Sequence, residues 1–262
     1  MALNVNDRTG NGETALHLAA AKVMTLWQEG AIVDSQDNDG TSALMIATKN
    51  LKEEITFFLL HKGADPNIKD NKGRTTLHYA AEGGCVGLVT SLLEAGARVD
   101  DRDNEGNTPA FVTAVNNKPA VLELLVENGA DLVHEGSRWR CNSTYAAHSG
   151  YLEIVKVLLD AGVAVDMEGK DQSTALHCAA EAGHIAVVTA LLDAGVTVDV
   201  KGKDQWSALR WAAMRGHPTV VTMFVDAGGE VDLIGKAMWT GLHCTLVHAL
   251  KWLLCCWTVG QI

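Results

Sequence analysis

The seven residues TALHCAA, Thr174–Ala180, set a hydroxyl, an imidazole and a thiol side by side, and how they are read decides the fold. Taken alone they suggest a metal site or a nucleophile. The same frame, however, returns as TALHLAA at Thr14, SALMIAT at Ser42, TTLHYAA at Thr75, TPAFVTA at Thr108, CNSTYAA at Cys141, SALRWAA at Ser207 and TGLHCTL at Thr240. From Ser42 onward each start follows the last by 33 residues, and the first gap, from Thr14 to Ser42, is 28. A fixed period of this length marks a repeat array, so architecture has to be read before chemistry.

One repeat, DNKGRTTLHYAAEGGCVGLVTSLLEAGARVDDRD (Asp70–Asp103), can be followed from end to end. Asn71, Lys72 and Gly73 form a turn, with glycine free to take a positive φ. Thr75 stands where a hydroxyl caps the helix that follows. Leu77, Ala80 and Ala81 supply that helix's apolar face, and the small alanines admit a close neighbour. Gly83 and Gly84 break it. Val86, Leu88, Val89, Leu92 and Leu93 then recur at the spacing of a second helix, which Gly96 terminates. Each repeat is therefore turn, helix, turn, helix, loop, and the chain is predicted to be all-α. The prolines agree: Pro109 falls in the first turn of a first helix, and Pro119 and Pro218 open second helices, where a missing N–H costs nothing.

Composition narrows the function classes. The chain has 262 residues, 47% of them hydrophobic, and four prolines, so it can bury a sizeable core. A net charge of -11 argues against nucleic acid as the main ligand and favours basic partners. The start MALNVNDRTG has neither a basic region nor an apolar run, so no signal peptide is expected. Six cysteines without paired spacing do not make a disulfide framework, and a reducing compartment is expected, cytoplasmic with nuclear as the alternative. No phosphate loop, metal-protease helix or nucleophile elbow is present. No catalytic residue and no cofactor are expected.

The pattern G-x-T-x-L-H-x-A-A, a mid-repeat glycine and then L-L-x-x-G-A, whole or nearly so at Gly12, Gly73 and Gly106, resembles the ankyrin repeat. The resemblance covers about residues 6–246 and holds register over successive repeats. It implies a single curved solenoid with repeats at about 9–36 (shortened), 37–69, 70–102, 103–135, 136–168, 169–201, 202–234 and a degenerate 235–262. It also implies that Thr14/His17, Thr75/His78, Thr174/His177 and Thr240/His243 are structural pairs that bond each other and backbone. Cys178, where other repeats carry Leu18, Ile46, Tyr79 or Val112, then reads as a small hydrophobe.

By resemblance, function is protein–protein interaction through turn tips and the exposed side of the first helices. The positions carried over are Lys72, Arg74 and Glu82 in repeat three, Glu105, Asn107 and Asn116 in repeat four, and Arg138, Trp139, Arg140 and His148 in repeat five. Repeats six and seven add Lys170, Asp171, Glu181, Lys203, Asp204, Trp206, Met214 and Arg215, and Trp239 follows. The stretch LLHKGADPN matches the spacing hydroxylated on many ankyrin repeats, which points to Asn67. A monomer is expected, with partners offering a basic or apolar surface.

Two features single out part of this surface. Trp206 and Trp239 share one turn position and Trp139 is one place out of phase, so with Arg138, Arg140 and Arg215 they form a candidate hot spot; the bland alternative lays the rings flat between neighbouring turns. Charge is uneven as well, with 11 Lys/Arg against 19 Asp/Glu in residues 1–131 and 10 against 13 in residues 132–262. That reads either as a two-tone binding surface or as a solvated face.

Departures from the frame are the other places to look. Repeat one lacks five residues, so its second helix is expected to be short or distorted. Repeat five, EGSRWRCNSTYAA, has lost the glycine, threonine, leucine and histidine, yet its second half is intact and it should fold. The end TLVHALKWLLCCWTVGQI is apolar but interrupted by His248 and Lys251, which suits a cap helix rather than a membrane span. His243, Cys244, His248, Cys255 and Cys256 lack the Cys-x-x-Cys pairs of a structural zinc site, so no metal is assigned. Acylation of Cys255 and Cys256 is an alternative. TLVHALKWLL also resembles the start of the box by which ankyrin-containing ubiquitin-ligase adaptors grip elongin, with Leu250 in place of the expected cysteine. The alternative functional readings are the recognition part of a larger signalling, channel or ubiquitin-ligase adaptor protein, or a pathogen effector.

Overall fold

The hydroxyls Ser42, Thr75, Thr108, Thr174 and Ser207 each cap the first helix of their repeat, as the frame predicts. In the computed structural model, which describes residues 9–11, 13–14, 30–132, 142–163, 172–202 and 206–229, the described residues form twelve α-helices and no named strand. An isolated antiparallel bridge joins Gln36 to Ser42. The chain divides into two compact units, Met1–Ser137 and Arg138–Ile262. The second helix of repeat one, the Thr14/His17 and Thr240/His243 pairings, the carboxyl-terminal helix and the cysteines within it lie outside the described residues.

The amino-terminal unit contains α1 (Ala43–Lys49), α2 (Glu53–His61), α3 (Thr76–Gly83), α4 (Val86–Glu94), α5 (Pro109–Val115) and α6 (Pro119–Glu127). First helices pack on first helices, α1 on α3 and α3 on α5, and second on second, α2 on α4 and α4 on α6. Leu77, Ala80 and Ala81 of α3 and Leu88, Val89 and Leu92 of α4 are all fully buried. Each large apolar side chain so buried contributes roughly 1.5–3 kcal/mol, and no single repeat buries enough by itself. Val86, counted by spacing with the apolar face of α4, is instead 41% exposed. It is the first residue of the helix, where the chain is still turning in from the loop.

The carboxyl-terminal unit repeats the plan with α7 (Asn142–Ser149), α8 (Leu152–Asp160), α9 (Ala175–Ala182), α10 (Ile185–Asp193), α11 (Ala208–Arg215) and α12 (Pro218–Asp226). Here α9 packs between α7 and α11, and α10 between α8 and α12. The degenerate repeat five keeps both helices, because Ala146, Ala147, Ile154, Val155 and Leu158 still supply a buried face. Of its lost frame residues only the leucine, replaced by Ser143, belonged to the core. Pro109, Pro119 and Pro218 all open helices, as their missing N–H requires.

The Thr–His pairs at Thr75/His78 and Thr174/His177 are architectural. Thr75 and His78 form a reciprocal capping box at the start of α3. The Thr75 backbone N–H donates to His78 Nδ1 at 3.1 Å, and the Thr75 hydroxyl lies 2.9 Å from the same nitrogen. His78 Nε2 donates to the Asn107 carbonyl at 3.0 Å, in the next repeat. That network requires the neutral Nε2–H tautomer. Burial, the larger effect, and the nearby Arg74 and Lys69 charges hold the imidazole below its usual range, against the opposing Asn107 bond and Asp103 charge. Thr174 and His177 repeat the arrangement, with His177 Nε2 donating to the Trp206 carbonyl at 3.1 Å. Cys178 is 5% exposed and packs as a small hydrophobe.

Candidate recognition surface

The tips of the amino-terminal unit are built around an aspartate, a carboxylate that accepts backbone N–H groups and so holds a tight turn. Asp70 Oδ1 accepts from the backbone of Lys72 at 2.9 Å and Arg74 at 2.8 Å, and Asp103 Oδ1 does the same for Glu105 at 2.9 Å and Asn107 at 2.8 Å. Successive tips are stitched by asparagine: Asn71 Nδ2 donates to the Asn38 carbonyl at 2.8 Å, and Asn104 Nδ2 to the Asn71 carbonyl at 2.9 Å. Gly73 turns the chain at φ +76°, and a Cβ there would meet the Asn104 backbone nitrogen at 2.8 Å.

From this tip the side chains converge on Tyr79 of α3. Its hydroxyl donates to Asp70 Oδ2 at 2.6 Å. Burial and the Asp70 carboxylate push the phenol well above its usual range. The Arg74 guanidinium lies over the ring at 4.3 Å from the centroid and Lys49 Nζ at 5.7 Å, so two cations flank one ring. Arg74 also forms an ion pair with Glu82. Of the expected contact residues, Lys72, Glu82, Glu105 and Asn116 are exposed, and Asn116 caps its own helix through the Val112 carbonyl at 2.8 Å. Asn107 departs from expectation. It is 9% exposed, and its amide donates to Asp103 at 3.0 Å and Glu105 at 3.3 Å, because the tip folds it inward.

In the carboxyl-terminal unit the corresponding positions carry different chemistry. Trp206 stands four periods after Arg74 and Trp211 four periods after Tyr79. The tip side chain again lies on the first-helix ring: the Trp206 and Trp211 centroids are 4.8 Å apart at 48°. The Arg210 guanidinium stacks on Trp206 at 4.2 Å, and Arg215 approaches Trp211 at 5.9 Å while pairing with Glu181. Trp206 is half-buried, Met214 is 41% exposed, and His148 is exposed, its carbonyl accepting from His184 Nε2 at 3.0 Å. Of the two layouts considered for the tryptophans, Trp206 combines a packed ring with partial exposure. Arg138, Trp139, Arg140, Lys170, Asp171, Lys203, Asp204 and Trp239 lie outside the described residues.

Asn67 is half-buried and joins two loops, its amide donating to the Gly96 carbonyl at 3.0 Å and its oxygen accepting from the Arg98 N–H at 2.8 Å. Sequence reasoning missed Lys49 and Trp211 as parts of the surface, and Tyr79 and Arg210 as buried side chains beneath it. The signal for Arg210 was visible, since SALRWAA sets arginine where the frame has histidine. Among the described residues no group of three His, Cys, Asp or Glu side chains is placed to hold a metal, and no helix is long and apolar enough to cross a membrane.

The comparisons agree with this geometry. The chain matches the family profile described as Ankyrin repeats (3 copies) over residues 2–70, 52–135 and 144–235. The crystal structure of the human ASB11 ankyrin repeat domain is similar with a TM-score of 0.71 and 26% identity, covering 78% of this chain and 91% of that one. The ankyrin repeat domain of Bcl-3, described as a unique member of the IkappaB protein family, gives a TM-score of 0.71 and 25% identity, covering 81% of this chain and 99% of that one. No curated protein matches the chain. The repeat frame, the paired helices and these matches place the chain in the ankyrin-repeat family.

Proposed function

We propose that the chain is a non-catalytic protein-binding module that recognises its partner through the tips and exposed first-helix surfaces of its repeats. Ankyrin repeat domains are in general protein–protein interaction modules. The observation that supports the reading here is the recurrence, four periods apart, of a tip side chain laid on a first-helix aromatic ring: Arg74 on Tyr79 and Trp206 on Trp211. Flat, ordered rings beside arginine are the side chains that dominate binding when a partner covers them. Met214 and Arg215 extend the second of these shelves into solvent. The proposed compartment is the cytoplasm, and Asn67 is the proposed hydroxylation site, to be checked by the mass of one added oxygen on the peptide that contains it.

The test is quantitative capture from cell extract on the immobilised full chain, compared with two variants, Arg74→Ala with Glu82→Ala and Met214→Glu with Arg215→Ala. At least one variant should lose a captured protein tenfold or more while its melting temperature stays within a few degrees. A captured set unchanged by both variants would remove recognition from these faces.

A further inference from the structure

Arg210 is 3% exposed, and its Nε, Nη1 and Nη2 atoms have no hydrogen-bond partner among the described residues. A guanidinium carries five N–H donors and stays charged at any accessible pH. Buried polar groups are otherwise paired, and a buried unpaired charge is among the costliest arrangements a fold can hold. Trp206 at 4.2 Å covers one flat side of the group, but a ring face supplies no acceptor for the donors around its edge.

The position makes the isolation more pointed. Arg210 occupies the place of the frame imidazole, and His78 and His177 both complete their local networks there. In repeat seven the Ser207 hydroxyl accepts only the Arg210 backbone N–H, at 3.3 Å, among the bonds described. The arginine side chain therefore does not substitute for the histidine as a cap. A guanidinium beside an indole, with its N–H donors unpaired, has the fork that receives a carboxylate through two parallel bonds.

The surroundings fit a peptide that brings such a carboxylate. Trp206, which lies over Arg210, is half-buried and so reaches solvent. Trp211, half-buried at 4.8 Å from Trp206, and Met214, 41% exposed, offer an apolar shoulder beside it. Glu181, the acidic residue of this face expected to meet a partner, is engaged by Arg215, which leaves the Arg210 charge uncompensated. The chain's net charge of -11 opposes an acidic ligand at long range, yet the screening length is about 8 Å at physiological salt, so the local cation decides at contact.

We infer that the first-helix face of repeat seven receives an acidic peptide segment, one carboxylate of which pairs with the Arg210 guanidinium as the Trp206 ring moves aside. This rests on the binding-module reading and adds the partner's chemistry to it. The experiment titrates the full chain at constant ionic strength with fluorescein-labelled hexaglutamate, with hexaglutamine as the neutral isostere and sodium sulfate as the small anion. It is repeated on Arg210→His, which restores the family side chain, and on Arg210→Met, which keeps the stem without the charge. Hexaglutamate should bind the wild type and raise its melting temperature, and hexaglutamine and sulfate should not. Both variants should melt several degrees higher at rest, because an unpaired buried charge is gone, and should bind hexaglutamate at least tenfold more weakly.

No binding of hexaglutamate, equal binding by Arg210→His, or an equal response to sulfate each overturns the inference. So does a lower melting temperature for Arg210→Met, which would mean that the guanidinium is satisfied within the chain. Should either variant fail to fold, the Arg210 ¹⁵Nε resonance of the wild type gives the same answer: it must move on adding hexaglutamate, and an unmoved signal overturns the inference. A chain that captures partners in a Met214-dependent manner but ignores hexaglutamate leaves the module reading standing and removes this one alone.

Discussion

The two units carry different residues at the same turn positions. In the amino-terminal unit Asp37, Asp70 and Asp103 each accept two backbone N–H groups, and Gly40, Gly73 and Gly106 take φ +75°, +76° and +83°. In the carboxyl-terminal unit Gly202 stands at the aspartate position and Gln172 at the glycine position, with φ +56° in the same left-handed region. One unit binds its polar groups into its own turns. The other has given up the carboxylate and the glycine, and its neighbouring first helix carries an indole shelf and an unpaired guanidinium. The lesson is that a repeat can lose its local turn chemistry when its helices still pack.

The contrast can be broken most forcefully at Asp70. Asp70→Ala removes the acceptor of two backbone N–H groups and strands the buried Tyr79 hydroxyl, so we expect a loss of about 3 kcal/mol, measured by urea unfolding of the full chain. Next comes a reciprocal swap at the turn. Gly73→Gln should cost about 2 kcal/mol, since a side chain at φ +76° is strained and its Cβ would run into the Asn104 backbone. Gln172→Gly should instead stabilise by about 0.5–1 kcal/mol, by relieving the left-handed strain at φ +56°. Opposite signs at equivalent positions are the outcome that sustains the comparison, and equal signs would end it.

Two weaker effects sharpen it. Arg215→Ala should change stability by less than about 0.5 kcal/mol, because its pair with Glu181 is exposed to solvent, while still reducing partner capture. The smallest signal is expected in pH. His78 is buried neutral with its pKa lowered from 6.5, so the unfolded chain binds more protons below that value than the folded one. Stability should therefore hold above pH 6.5 and decline as the pH falls through it, and His78→Gln should flatten that slope in thermal melts.

Much of this was legible in the residues. The frame set the helix starts, the prolines fell at first turns, and the described pairs Thr75/His78 and Thr174/His177 took their structural role. The failures share one cause. Val86 obeys the apolar spacing yet lies at a helix start, and Asn107 is polar in a tip yet folds inward onto Asp103 and Glu105. Spacing along the chain reports which residues share a face; it does not report how far a side chain is carried into a neighbour. Lys49 and Arg74 meet on Tyr79 from two different repeats, a junction that no single repeat's sequence describes.

The sequence by itself determined the period, the order of turn and helix pair, the capping pairs and the family, because these follow from short-range rules applied every 33 residues. Only the tertiary structure decided which polar atoms are consumed within the stack and which are not. The partners of His78, His177 and Asn71 lie 29 or 33 residues away, one repeat along, and they meet only when helices stack. Arg210 stands where His78 and His177 stand in their repeats, but that its guanidinium is buried without an acceptor depends on the packing around it.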